Sequence, residues 1–255
     1  MASESKIEQK NNLAIIIIAK NEARMIEECI DSCRVLNPLE IIVIDDDSSD
    51  TTSQKAFQSG AKVYKHKKLD FAEVREFGLK QTHADWIIYI DADERISSDL
   101  AKEISETIKN NNLFAALKFP RINYYLGSRW PTNEIVTRLF QKKGLKGWSG
   151  QLHESPRVEG SIGILKGAII HHTHTSISEM VENTLVWSQI EAKLRFAAGH
   201  PPVSWWRIPR VMLPVFFDYY LKQGGWRVGT VGLIESIYQA FSIFITYARL
   251  WEMQK

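Results

Sequence analysis

The chain has 255 residues, 44% of them hydrophobic and 24% charged, with a formal net charge of +2. That length can bury a substantial core in one folded domain with an appendage, and so small a charge argues against a nucleic-acid partner. Two cysteines with no Cys-x-x-Cys pair offer no zinc framework and suit helix core positions in a reducing compartment.

Residues Met1 to Asn12 are polar and read as a disordered arm, without the features of a signal peptide. The run Leu13 to Ala19 reads as a fully buried parallel strand and ends in Lys20-Asn21-Glu22. Ile26, Cys29, Ile30 and Cys33 then share one helical face, and Pro38 closes the connection to a second apolar run, Ile41 to Ile44. That strand ends in Asp45, Asp46 and Asp47, followed by Ser48, Ser49 and Asp50. A short strand around Ala61 to Tyr64 precedes a helix that Asp70 and Glu73 would open as a capping box, and this helix carries Arg75. A strongly apolar run, Trp86 to Ile90, ends in Asp91-Ala92-Asp93.

Strand and helix alternating through short connections imply right-handed βαβ units, a mostly parallel sheet and a ligand beyond the carboxyl ends of the strands. Both acidic clusters fall at that edge, so three strand ends face one crevice. Two carboxylates after a buried strand would grip a hard divalent cation whose other positions go to substrate phosphates. The expected chemistry is that of phosphate esters, and no Walker-type loop competes for the phosphate.

Farther along, His171, His172 and His174 follow the strand-like "GAII", with His172 and His174 on one strand face as candidates for the metal or a diphosphate. Ser176 and Glu179 form a capping box for a helix to about Ala198, which Gly199 and Pro201-Pro202 terminate. From His200 to Lys255, six Lys or Arg stand against three Asp or Glu, a local charge of +3, among tryptophans, tyrosines and phenylalanines of the kind that favour membrane interfaces. In the last helix Glu235, Gln239, Ser242, Thr246 and Arg249 form a narrow polar stripe. The uncharged stretch between Glu235 and Arg249 falls short of the roughly 20 residues needed to cross a bilayer. This amphipathic helical region is therefore expected to lie in the interface or to pack on the preceding domain.

The segments "AKNEA", "VIDDDSSDTT", "FAEVREFGL" and "DWIIYIDADER" together resemble glycosyltransferase family 2, transferases of nucleotide sugars with the Rossmann-like GT-A fold. The resemblance continues through "RLFQKKGLKGWSGQLHE" and the carboxyl-terminal "FFDYYLKQGGWRVGTVGLIESIYQAFSIFITYARLW", which are similar to the branch of lipopolysaccharide inner-core β-1,4-glucosyltransferases. It implies a GT-A domain over residues 13–175 and a membrane-proximal helical region over 176–255. It also implies that Lys20, Asn21 and Glu22 line the base pocket, that Asp45 or Asp46 accepts hydrogen bonds from base or ribose, and that Arg75 lies near the diphosphate or its ligating aspartates. Asp91 and Asp93 would hold the ribose and a Mg2+ or Mn2+ ion. Glu154, at the end of "GWSGQLHE", would be the base that takes the acceptor proton. Asp47 stands where the family has glycine, and aspartate tolerates the left-handed turn better than most residues.

The expectation is thus an inverting hexosyltransferase moving glucose from UDP-glucose to a heptose of a lipid-anchored core saccharide, peripheral on an anionic membrane surface at the cytoplasmic face of the inner membrane. Absence of a Gln-x-x-Arg-Trp motif argues for single transfer over processive synthesis. The alternatives are another nucleotide sugar or lipid-linked acceptor, or a non-catalytic nucleotide-sugar-binding membrane protein.

Overall fold

The computed structural model describes residues 11–67, 71–110, 113–149 and 155–255. The chain forms two compact units: residues up to 121 with 135–170, and residues 122–134 with 171–255. The sequence boundary at about 175 falls inside the second unit, which also takes in the hairpin tip 122–134.

The first unit is built on strands buried on both faces. β1 (Asn11–Ala19) lies between β2 (Pro38–Asp45) and β4 (Trp86–Asp91), parallel to both, and β3 (Lys62–Lys65) extends the parallel set beyond β2. Leu13, Ile15 and Ile17 point to one side, against Ile26, Cys29, Ile30 and Cys33 of α1 (Ile26–Arg34) and Leu100 and Ile104 of α4 (Ser98–Asn110). Ile16, Ile42, Ile44 and Tyr89 point to the other, with Val74 of α3 (Phe71–Lys80). Continuous apolar runs, rather than alternation, follow directly from burial on both sides. Gly78 lets α3 approach closely, because a Cβ there would lie 2.7 Å from the Ile16 side chain.

α2 (Thr52–Gln58) returns the chain from β2 to β3, and β5 (Glu94–Ile96) follows β4 after a two-residue turn. The strand order is β3-β2-β1-β4-β7-β6-β11-β5, where β6 is Phe114–Tyr125, β7 Ser128–Gln141 and β11 Ile169–Thr173; β10 (Ser161–Ile164) pairs with β6. β7 runs antiparallel to β4, with Leu139 opposite Ile88. β8 (Leu145–Ser149) and β9 (Ser155–Val158) form a separate antiparallel pair. The result is the expected α/β architecture, parallel through β3, β2, β1 and β4.

The second unit is dominated by α5 (Ile177–Ala197), α6 (Arg207–Phe217) and α7 (Thr230–Met253). The α5 cap is shared by two residues: the Ser176 hydroxyl accepts from the Glu179 amide at 3.2 Å, while the Glu179 carboxylate accepts from the Thr175 amide at 3.0 Å. Gly199, at φ 69°, follows the helix as a left-handed terminator. α6 continues through Pro214 and ends in a π-helical turn, Asp218–Lys222. Gly232 of α7 meets the backbone of Gly225, where a Cβ would sit 1.8 Å from the carbonyl oxygen, so no larger residue fits.

Candidate active site

Parallel register places the acidic strand ends side by side. Ala19 pairs with Asp45 and Ile18 with Asp91, so the two aspartates flank β1 two strand spacings, about 10 Å, apart at the carboxyl edge. The loops after β1 and β2 are stitched together beyond that edge. The Asn21 backbone amide donates to the Ser48 hydroxyl at 2.9 Å, the Ser49 amide to the Asn21 side-chain oxygen Oδ1 at 2.8 Å, and the Glu22 amide to the Thr52 hydroxyl at 2.8 Å. Asn21 and Asp47 both take the left-handed conformation, at φ 56° and 58°. The turn that would suit glycine is therefore made by Asp47.

The two buried aspartates of this loop differ. Asp45 accepts from the Ser48 amide at 3.1 Å on one oxygen and from the Ser53 hydroxyl on the other, so both oxygens hold its own loop in place. Asp46 is paired with Lys20 at 3.4 Å, whose side chain is half exposed. Burial pushes the Asp50 carboxyl up, but hydrogen bonds from Thr52 and the Ala23 amide outweigh it and hold the group below its usual range.

Asp91 sits inside a cage of arginines. Arg138 grips it through two nitrogens, at 2.6 and 3.3 Å, and Arg75 lies 3.6 Å away. Glu94, fully buried, accepts from the Asp91 amide at 2.9 Å and pairs with Arg121 at 3.3 Å and Arg138 at 3.5 Å. A buried carboxylate among guanidiniums is tolerable only because every charge has partners; removing one member of such a set costs about 3–5 kcal/mol. The Arg75 guanidinium also lies 5.3 Å from the Tyr89 ring and 4.9 Å from the Trp148 ring. The Tyr89 phenol donates to the Arg75 carbonyl at 2.9 Å, and burial raises its pKa.

Lys20, Asn21, Glu22, Asp45 and Asp46 thus lie on one linked pair of loops, and Arg75 lies 3.6 Å from Asp91. Asp93 occupies the turn between β4 and β5, half-buried. Glu154 lies outside the described residues, as does Asp70. Arg138, Glu94 and Arg121 carry no signal of short spacing; the available hint is charge set within the apolar strand stretches "RLF" and "ERI", where burial demands a partner. The histidines belong to the second unit: His171 Nδ1 is 2.8 Å from the Asn123 side-chain oxygen Oδ1, and His174 Nδ1 is 3.0 Å from Glu235 Oε2. β11 ends at Thr173 and His174 turns to φ 51°, so the shared strand face of His172 and His174 is lost.

Among the described residues no three His, Cys, Asp or Glu side chains are grouped to enclose a metal. Asp93 lies two residues beyond Asp91, whose two oxygens are engaged by Arg138, with Arg75 3.6 Å away.

Acidic strand ends and buried arginines at the carboxyl edge of a parallel sheet suit a phosphate ester. Residues 14–167 match the model of glycosyl transferase family 2, and the chain belongs to that family, with the GT-A architecture it implies. An uncharacterized glycosyltransferase of Rickettsia felis is 30% identical, covering 94% of this chain and 89% of its own. The lipopolysaccharide core biosynthesis glycosyltransferase LpsC of Rhizobium meliloti is 25% identical, covering 94% of this chain and 92% of its own. Among solved structures, glucosyl-3-phosphoglycerate synthase of Mycobacterium tuberculosis, in complex with Mn2+ and UDP-glucose, is a distant likeness: TM-score 0.46 and 19% identity over 74% of this chain and 79% of that one.

Proposed function

We propose that the protein is an inverting hexosyltransferase that moves glucose from UDP-glucose to a heptose of a lipid-anchored lipopolysaccharide inner core. The observation that carries this reading is the Asp91 cage beside the paired loops of β1 and β2: cations and acceptor carboxylates at one sheet edge suit a nucleoside diphosphate. Likeness to LpsC supports the acceptor class.

Asp45 or Asp46 accepts hydrogen bonds from the base or ribose. Arg75, oriented by Tyr89 and Trp148, lies along the diphosphate, and Arg138 holds Asp91 toward the ribose. Asp91 and Asp93 would bind a Mg2+ or Mn2+ ion, whose charge offsets that developing on the departing nucleoside diphosphate. Glu154 takes the proton of the acceptor hydroxyl as its oxygen attacks the anomeric carbon. The bond from that carbon to the diphosphate breaks on the opposite side, its electron pair leaving with UDP, and a β linkage results. A lipid-anchored acceptor and a cytosolic donor place the enzyme peripherally at the cytoplasmic face of the inner membrane.

Incubating the protein with UDP-glucose and Mn2+ tests this reading. Slow UDP release is expected, accelerated by heptose-terminated core saccharide, with the large anomeric coupling of a β-glucoside in the product. A protein that binds UDP-glucose and releases no UDP with or without acceptor is a binder, and the assignment fails.

A further inference from the structure

The helices of the second unit bury small and polar residues over much of their length. α5 buries Met180, Thr184, Ser188 and Ala192, and α7 buries Gly232, Glu235, Ser236, Ala240 and Thr246, with an apolar cluster of Ala192, Val203, Tyr247 and Leu250 at one end. Several of the polar groups pair within the bundle, Thr184 donating to the Tyr238 hydroxyl at 3.0 Å, Tyr238 to the Met180 carbonyl at 2.7 Å and Ser236 to the Gly232 carbonyl at 2.6 Å, while the buried Ser188 hydroxyl has no partner among the described residues. Much of the outer surface is apolar, with Glu182, Gln189 and Lys193 exposed beside it. Leu185, Val186, Ile190 and Leu194 of α5, and Leu233, Ile237 and Phe241 of α7, are exposed. Water selects the opposite arrangement, whereas in hydrocarbon small and polar residues gather at helix contacts and apolar ones face outward.

The rim matches the same solvent. Arg207 and Arg210 lie 5.3 and 5.7 Å from the Trp206 ring, Arg227 lies 5.1 Å from Trp226, and the Lys255 ammonium 3.7 Å from Trp251, all three rings being exposed. Indole beside a cation is the pairing that suits the boundary between acyl chains and anionic headgroups. α7 is long and apolar enough to cross a bilayer, with 33% of its apolar window buried. Its partner α5 is not, since Glu182 and Lys193 are exposed along it.

We propose that the outer faces of α5 and α7 are immersed in the acyl region of one leaflet of an anionic bilayer, with the tryptophan-cation pairs at the headgroup level. This deepens the peripheral placement proposed above: immersion, rather than electrostatic attachment alone, holds the unit. Vesicles of phosphatidylglycerol and phosphatidylethanolamine provide the test. The full chain is expected to float with them and to stay bound at about 1 M salt, where charges are screened beyond ~3 Å. An environment-sensitive dye on Leu185→Cys should shift to the blue when vesicles are added, and the same dye on Phe57→Cys, in the first unit, should not. Release of the wild-type chain by salt, with no shift at position 185, overturns immersion while leaving surface attachment standing. A salt-stable dimer whose 185 label is buried without lipid also overturns it, because a second copy then covers the face. Transferase activity on a short soluble acceptor is followed in parallel; its absence in protein that still floats breaks the functional reading and not this one.

Discussion

The two units solve the burial problem in opposite senses. In the first, β1 places Leu13, Ile15, Ile16 and Ile17 at zero exposure, and deeply buried charge is concentrated around Asp91 and in the loop after β2. In the second, Thr184, Ser188, Ser236 and a fully buried Glu235 lie inside along with Tyr247 and Leu250, while Leu185, Ile190, Leu194, Leu233 and Ile237 stand outside. One chain therefore carries two patterns, each reasonable for a different solvent. Overall hydrophobic content does not separate them; what separates them is which side of each helix or strand the apolar residues occupy.

The largest expected effect sharpens the assignment of chemistry to the first unit. Asp93→Asn should lower transfer at least ~1,000-fold, since offsetting leaving-group charge is worth several kcal/mol, with flotation on vesicles unchanged. Full turnover by the wild-type protein in excess EDTA would break that assignment. Next comes a direct contrast between interiors and exteriors. Ile16→Ala should destabilise the first unit by about 2–5 kcal/mol in denaturant titrations, whereas Leu185→Ala in detergent should stay within ~0.5 kcal/mol. Equal losses would mean that the α5 exterior is ordinary core. Glu154→Gln should reduce turnover at least ~100-fold with UDP affinity nearly unchanged; normal turnover by this variant points to another carboxylate as base.

The smallest effect is a pH dependence of the second unit. Burial, followed by the nearby negative charges of Glu235, Glu134 and Asp218, pushes the Tyr219 phenol up to about 12. An unfolded tyrosine ionises near 10, so the folded form holds its proton more tightly, and stability is unaffected below pH 10 and falls as pH rises from there toward 12. Thermal unfolding across that window should show the loss, and Tyr219→Phe should flatten it.

The parallel core was legible because its strands are buried on both faces, which leaves uninterrupted apolar runs such as Leu13 to Ala19, and because each run ends in acid. The α1 face of Ile26, Cys29, Ile30 and Cys33 is buried as its spacing indicates. Partnership across long separations was not legible. Arg138 meets Asp91 across 47 residues through an antiparallel strand whose pairing no local pattern announces. Asp45 and Asp46 are neighbours of identical type, and only the hydroxyls and amides around them tell them apart. The polar stripe of α7 was visible as a stripe, but its inward direction depends on α5, whose own small and polar face is scattered among apolar residues on every side.

Cys29 and Cys33 face each other one helical turn apart within the core beneath β4, and they are the chain's only cysteines. The hydrogen bond between the thiols, together with burial, raises the Cys29 pKa well above its ordinary value. Since the thiolate is the reactive form, the native protein should be silent toward maleimides and slow to oxidise. Its catalysis should thus be indifferent to the redox poise of its surroundings, and alkylation of its native thiols should report unfolding of the first unit and nothing else.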